Sequence, residues 1–184
     1  MSHRSASLRL FTLLVIAANS LALSALSEEA LEYKVKAGCL FNFAKFVDWP
    51  ANTFPDQNAP IIIGILGSDP FGEALGQTVQ DREISGRKVV VRKYSDPQNA
   101  REAQILFVGL KGDLLASALK SLEHSSVLTV GENSSFTDAG GIVCFVIRDG
   151  RVSFDINPEA GKKAGLKIGS QLLRVAHIVS SKGE

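Results

Sequence analysis

The chain has 184 residues, of which 20 are basic, 19 acidic and three histidine, giving a formal charge of +1. Neither sign dominates, so charge argues against a nucleic-acid binder. The length fits one domain with a full core, and no stretch reads as a long linker or an internal repeat.

His3, Arg4 and Arg9 precede an apolar run over residues 10–23, and the small residues Ala22, Ser24, Ala25 and Ser27 precede Glu28-Glu29. That order is a secretory signal peptide over residues 1–27, with cleavage expected after Ser24 or Ser27. Asn19-Ser20 interrupts the run, and about 14 residues are too few for a span, which needs about 20. Removal takes away Arg4 and Arg9 and no acid, leaving 18 basic against 19 acidic side chains, a formal charge of −1. Residues 28–184 are then one exported domain in which no transmembrane span is expected.

The domain opens on Tyr33 to Pro50, YKVKAGCLFNFAKFVDWP. Leu31, Val35, Cys39, Phe43 and Val47 recur every fourth residue beside Leu40 and Phe46, which predicts an amphipathic helix packed on a core. Pro50 ends it near Asp48. A turn-rich loop follows, then a β-branched strand over residues 61–66 and a helix over 71–80 capped by Asp69 with Pro70 at its first position. Residues 88–92 form a second strand, whose basic neighbours Arg82, Arg87, Lys88, Arg92 and Lys93 suit a solvated edge. Asp96-Pro97 starts a short helix to Ala103. Residues 105–108 and 127–130 are further strands around a helix over 114–122, capped by Asp113. Alternating strands and helices predict right-handed crossovers. After Gly140-Gly141, residues 142–147 and 151–156 flank Asp149-Gly150, a tight-hairpin signal. The first arm is apolar on both faces and reads as interior, the second as half exposed and an edge. Asn157-Pro158 caps a helix ending at Gly165, and a last helix covers residues 171–179. The expected fold is α/β, a mainly parallel central sheet with flanking helices and a C-terminal antiparallel hairpin.

Chemistry is sparse. The glycines around Gly64-Ile65-Leu66-Gly67-Ser68-Asp69 sit at a strand-to-helix turn but lack phosphate-loop spacing and lysine, leaving a small-ligand crevice near Gly67-Ser68-Asp69 as the alternative to ordinary turn glycines. No nucleophile has an assignable base, and no carboxylate pair suits acid/base work. His124 and His177 have no second ligand at metal spacing, so neither a catalytic residue, a metal nor a cofactor is assigned. Cys39 and Cys144 are either two buried thiols or a disulfide closing a loop of about 100 residues, worth about 4–5 kcal/mol if the geometry allows it.

Taken together and in order, several motifs resemble the YfiR family of bacterial periplasmic proteins. They are Tyr33-Lys34-Val35-Lys36-Ala37 through Phe41-Asn42-Phe43-Ala44-Lys45-Phe46, Trp49-Pro50, Ile63-Gly64-Ile65-Leu66-Gly67 with Asp69-Pro70-Phe71-Gly72, and Gly86-Arg87. Ile105-Leu106-Phe107, Leu128-Thr129-Val130-Gly131, Gly140-Gly141, Phe154-Asp155-Ile156-Asn157 and Ala164-Gly165-Leu166-Lys167-Ile168 with Leu172-Leu173 continue the series. The resemblance implies a periplasmic regulator, whose partner is the periplasmic sensor domain of an inner-membrane diguanylate cyclase. Holding that cyclase inactive lowers cyclic di-GMP and biofilm formation. It also implies redox response through disulfides, but this chain departs from the pattern. Cys144 has no partner on the following strand, and Cys39 stands where an aromatic residue is usual. Gly165, Leu166, Lys167 and Ile168 are the expected partner-binding turn, with a core-facing turn as the competing reading, and assembly as a homodimer stays open.

Overall fold

The computed structural model describes residues 28–180; the expected signal peptide lies outside them. Helix α1 covers residues 28–43. It is followed by β1 (Val47–Asp48), a 3-10 turn (Ala51–Thr53), β2 (Ile61–Gly67), α2 (Ala74–Val79), β3 (Glu83–Ile84), β4 (Arg87–Tyr94), a second 3-10 turn (Asn99–Glu102) and β5 (Ile105–Gly109). Then come α3 (Gly112–Ser121), β6 (Leu128–Gly131), β7 (Val143–Arg148), β8 (Arg151–Ile156), α4 (Pro158–Lys163), β9 (Lys167–Ile168), α5 (Ser170–Val175) and β10 (His177–Ile178).

The main sheet has eight strands in the order β10-β8-β7-β6-β5-β2-β4-β3. Strands β4, β2, β5, β6 and β7 run parallel to one another. β8 returns antiparallel to β7 through Asp149 and Gly150, both at positive φ as the tight turn requires. The protein is thus α/β with a mainly parallel central sheet, flanking helices and a C-terminal hairpin. A second sheet of two strands pairs β1 with β9 antiparallel.

Side chains of a strand alternate between faces, and both faces of this sheet are covered. Ile61, Ile63 and Ile65 of β2, Ile105 and Phe107 of β5, and Val143 and Phe145 of β7 meet α1, α2 and α5 on one side. Leu66, Leu106, Val108 and Cys144 meet Leu115, Ala118 and Leu119 of α3 on the other. Each large buried side chain contributes about 1.5–3 kcal/mol of transfer free energy, which explains strands that read as continuous apolar runs.

Four expectations need correction. First, α1 ends at 43; the chain then turns through Lys45 N–H to Asn42 O (2.9 Å) and Phe46 N–H to Phe43 O (3.0 Å), so that Val47 can pair with Ile168. The buried face also has a different phase. A four-residue step overshoots a helical turn by about 40°, so a stripe at every fourth position winds off the core. Leu31 and Val35 are 62% and 46% exposed, while Ala37, Leu40, Phe41 and Ala44 are buried. Second, Asp69 caps no long helix. Its Oδ1 accepts from Phe71 N–H (3.0 Å), and the chain passes Gly72 at φ +54° before α2 begins at Ala74. Third, Asp113 lies in the first turn of α3 while Lys111 takes the N-cap position without a side-chain hydrogen bond. Fourth, β8 is not the sheet edge: α5 stops at Val175, and β10 pairs parallel outside β8. Sheet pairing there outweighs the helical pattern of residues 171–179. The basic strand does border solvent, since β3 reaches only Arg87 and Lys88 of β4.

Candidate functional site

From β2 the chain crosses to β4 on one side and then to β5 on the other. The strand order therefore reverses between β2 and β5, and in parallel sheets the crevice beyond the C-terminal strand ends at such a point is where ligands bind. Those ends are Gly67 and Gly109, tied by Ser68 N–H to Gly109 O (3.2 Å). An open cleft of about 740 Å³ lies beyond them, lined by Ser68 and Lys111, by Tyr33 and Lys36 of α1, and by Glu132 after β6. Of Gly67, Ser68 and Asp69, where a crevice was expected, only Ser68 lines it.

The wall of this cleft holds a charge cluster that reading the sequence missed. Lys36 is 4% exposed. Its Nζ lies 2.5 Å from Glu32 Oε1, one helical turn back, and 2.7 Å from Glu132 Oε2. The ammonium also stands 4.5 Å from the Tyr33 ring centroid, and Tyr33 O–H donates to Glu132 Oε1 at 3.2 Å. Burial pushes the Lys36 ammonium down, but its hydrogen bonds to Glu132 and Glu32 outweigh that and hold it above the ordinary lysine value. Burial, and then the Glu132 charge, raise Tyr33. The signal was present: Lys36 is four residues from Leu40 on the buried face, and a lysine at a core position needs a carboxylate.

Glu132 is placed by the loop 132–141. Phe136 is fully buried between two glycines, where a Cβ on Gly131 would lie 2.3 Å from its ring and one on Gly141 2.2 Å. Cys144 Sγ–H donates to Asn133 O at 3.2 Å from beneath. Burial, with Asp155 and Glu132 adding, pushes the Cys144 thiol up to about 11, and burial raises Cys39 as well. Both thiols are free. Cys39 packs on the α1 side of the sheet and Cys144 on the α3 side. The sheet stands between them, so the Cys39–Cys144 disulfide is not formed.

The turn Gly165-Leu166-Lys167-Ile168 begins as a helix stop. Gly165 has φ +72°, its N–H reaches Lys162 O (3.0 Å), and Leu166 N–H reaches Gly161 O (3.0 Å), the paired bonds of a Schellman cap. Leu166 is buried, and Ile168, half-buried, pairs with Val47 and lies against Gly161. Lys167 is exposed, opposite Asp48. The accessible part of this turn is therefore Lys167 and the adjoining backbone.

His124 Nδ1 lies 3.3 Å from Lys163 O, and His177 Nδ1 3.4 Å from Asp155 Oδ1. Among the described residues no group of three or more His, Cys, Asp or Glu side chains could hold a metal, and no helix is long and apolar enough to cross a membrane.

The family model described as YfiR/HmsC-like (DUF4154) matches residues 33–177, from Tyr33 of α1 to His177 of β10. The chain belongs to the YfiR/HmsC-like family. In this family member the matched range takes in the cleft, the loop behind it and the β1–β9 pair. No curated protein matches the chain. Among solved structures, it is similar to the ABC domain in complex with L-Trp from Streptococcus pneumonia, at 12% identity and TM-score 0.46, covering 65% of this chain and 55% of that one. It is also similar to a conserved domain protein from Vibrio cholerae O1 biovar El Tor, at 15% identity and TM-score 0.42, covering 64% and 54%. The chain spans about half the length of both. Likeness at this level carries no argument about what the protein does.

Proposed function

We propose that this YfiR/HmsC-like chain is an exported regulatory binding protein that holds an inner-membrane diguanylate cyclase inactive through its periplasmic sensor domain, lowering cyclic di-GMP and biofilm formation. The observation that carries this reading is the family match over residues 33–177, nearly all of the described domain. The partner-binding face is the Gly165–Ile168 turn, with Lys167 as its contact. Lys167→Glu is the test, because Lys167 is exposed and the change spares the packing of Leu166 and Ile168. The variant puts a like charge opposite Asp48, so it should melt slightly lower but stay folded, and it should release the cyclase, so that cyclic di-GMP in the native host rises toward the deletion level. Unchanged repression would place the partner elsewhere. Failure of the purified domain to bind any cyclase sensor region would reject the reading itself.

A second reading, a periplasmic small-ligand sensing domain, is favoured by the cleft at the β2/β5 switch point. A thermal-shift screen that finds no stabilising compound would count against it.

A further inference from the structure

We infer that a second cavity, between α3 and α4, binds an uncharged, largely apolar small molecule through an oxygen that accepts a hydrogen bond from Thr129. The inference is independent of both functional readings above. This cavity lies at the N-terminal ends of β6 and β7, whereas the cleft lies beyond the C-terminal strand ends, and its volume of about 400 Å³ is within the range of small-molecule sites. Buried apolar side chains form its floor: Leu119, Leu122, Val127 and Ile142, with Ala164 beside them. Its charges select no sign. Lys120 and Lys163 stand against Glu123 and Glu159, all four exposed, and they sum to zero. A charged ligand would give up hydration over an apolar floor with no net counter-charge to offset the cost. Thr129 supplies the polar contact. It lines the cavity, is 5% exposed, and its Oγ1 accepts from Ile142 N–H at 3.1 Å. That bond fixes the oxygen in place, while the hydroxyl hydrogen has no acceptor among the described residues. A buried donor of this kind is satisfied by a carbonyl or ether oxygen on the ligand. His124, also in the lining, is exposed and already lies against Lys163 O, at 3.3 Å from Nδ1.

Titration of the intact exported domain at about pH 8, above the ordinary histidine value, with benzylacetone, phenylpropylamine and phenylpropionate tests this. Benzylacetone should bind at least about tenfold more tightly than either charged counterpart, with intermolecular NOEs to the methyl groups of Leu119, Val127 and Ile142. Thr129→Val should weaken it by about fivefold, and Thr129→Ser, which keeps the hydroxyl, should not. Ala116→Phe, a change at an exposed position of the lining, should fill the mouth and weaken it by about tenfold. Should Thr129→Val fail to fold, the infrared carbonyl band of bound benzylacetone decides, since a hydrogen-bonded ketone absorbs at lower frequency than one in an apolar solvent. An unshifted band, or affinity unmoved in folded Thr129→Val, would overturn the Thr129 contact. Equal or tighter binding of either charged compound would overturn the uncharged assignment. Contacts elsewhere on the protein, or no binding at all, would overturn the site.

Discussion

Lys36 shows how one residue can tie a helix to a site. Its charge is buried and is held by partners that themselves touch water, which makes the cluster sensitive to loss of the lysine. Lys36→Met should leave Glu32 and Glu132 without their shared counter-charge and cost about 1–3 kcal/mol in urea denaturation. The pH dependence has a definite sign. A lysine held above its ordinary value of 10.5 stabilises the fold fully below that value and loses the contribution as pH rises through the higher folded value. The difference in stability between the parent and Lys36→Met should therefore be constant at neutral pH and shrink in strongly alkaline solution. A gap that survives to high alkalinity would show that packing, and not charge, sets the effect. Raised Tyr33 acts in the same alkaline direction and remains in the variant.

At the scale of elements, the loop behind β6 is the part of the site with least tolerance. Gly131 and Gly141 have no side chain where Phe136 lies, so a methyl group at either forces the ring or the loop to move. Gly141→Ala should destabilise the protein by about 1–3 kcal/mol or more. By moving Glu132 it should also weaken the Lys36 contact, which a smaller double-mutant coupling between Lys36 and Glu132 would report. Strands and turns were the legible part of the sequence, because β-branched runs and Asp149-Gly150 state their structure locally. The β2, β5, β6 and hairpin positions were readable to within one or two residues. What local pattern could not give was phase and partner. A four-residue count does not close on a helical turn, which shifts the buried face of α1, and residues 177–178 form β10 because β8 is there to pair with them. Turn position points only to Ser68 of the cleft, whereas its charges come from residues 96 apart in sequence.

For the whole molecule, the order of the sheet makes its C-terminal edge thin. β10 contributes two residues, His177 and Ile178, beside β8, with Val179 N–H bonding Ile156 O at 2.9 Å. A chain ending at Ala176 should expose the backbone of β8 at Asp155 and Ile156, and such an edge recruits other strands. It should melt a few degrees lower, roughly the effect of about 1 kcal/mol in a domain of this size. Its sedimentation should depend on concentration more steeply than the parent's. The β1–β9 pair that carries Lys167 is built on the ends of α1 and α4.

The ion pair between Lys36 and Glu132 also sets a schedule for synthesis. The first helix of the domain has its counter-charge 96 residues downstream, and its buried face rests on strands made after it. Until β7 and β8 exist, Phe43 lacks Phe145 and Phe154, the rings it packs on. The emerging chain must keep its most aromatic segment uncommitted until most of the domain exists. Completion is thus set by long-range closure and not by helix formation, which favours slow folding and a prolonged unfolded interval.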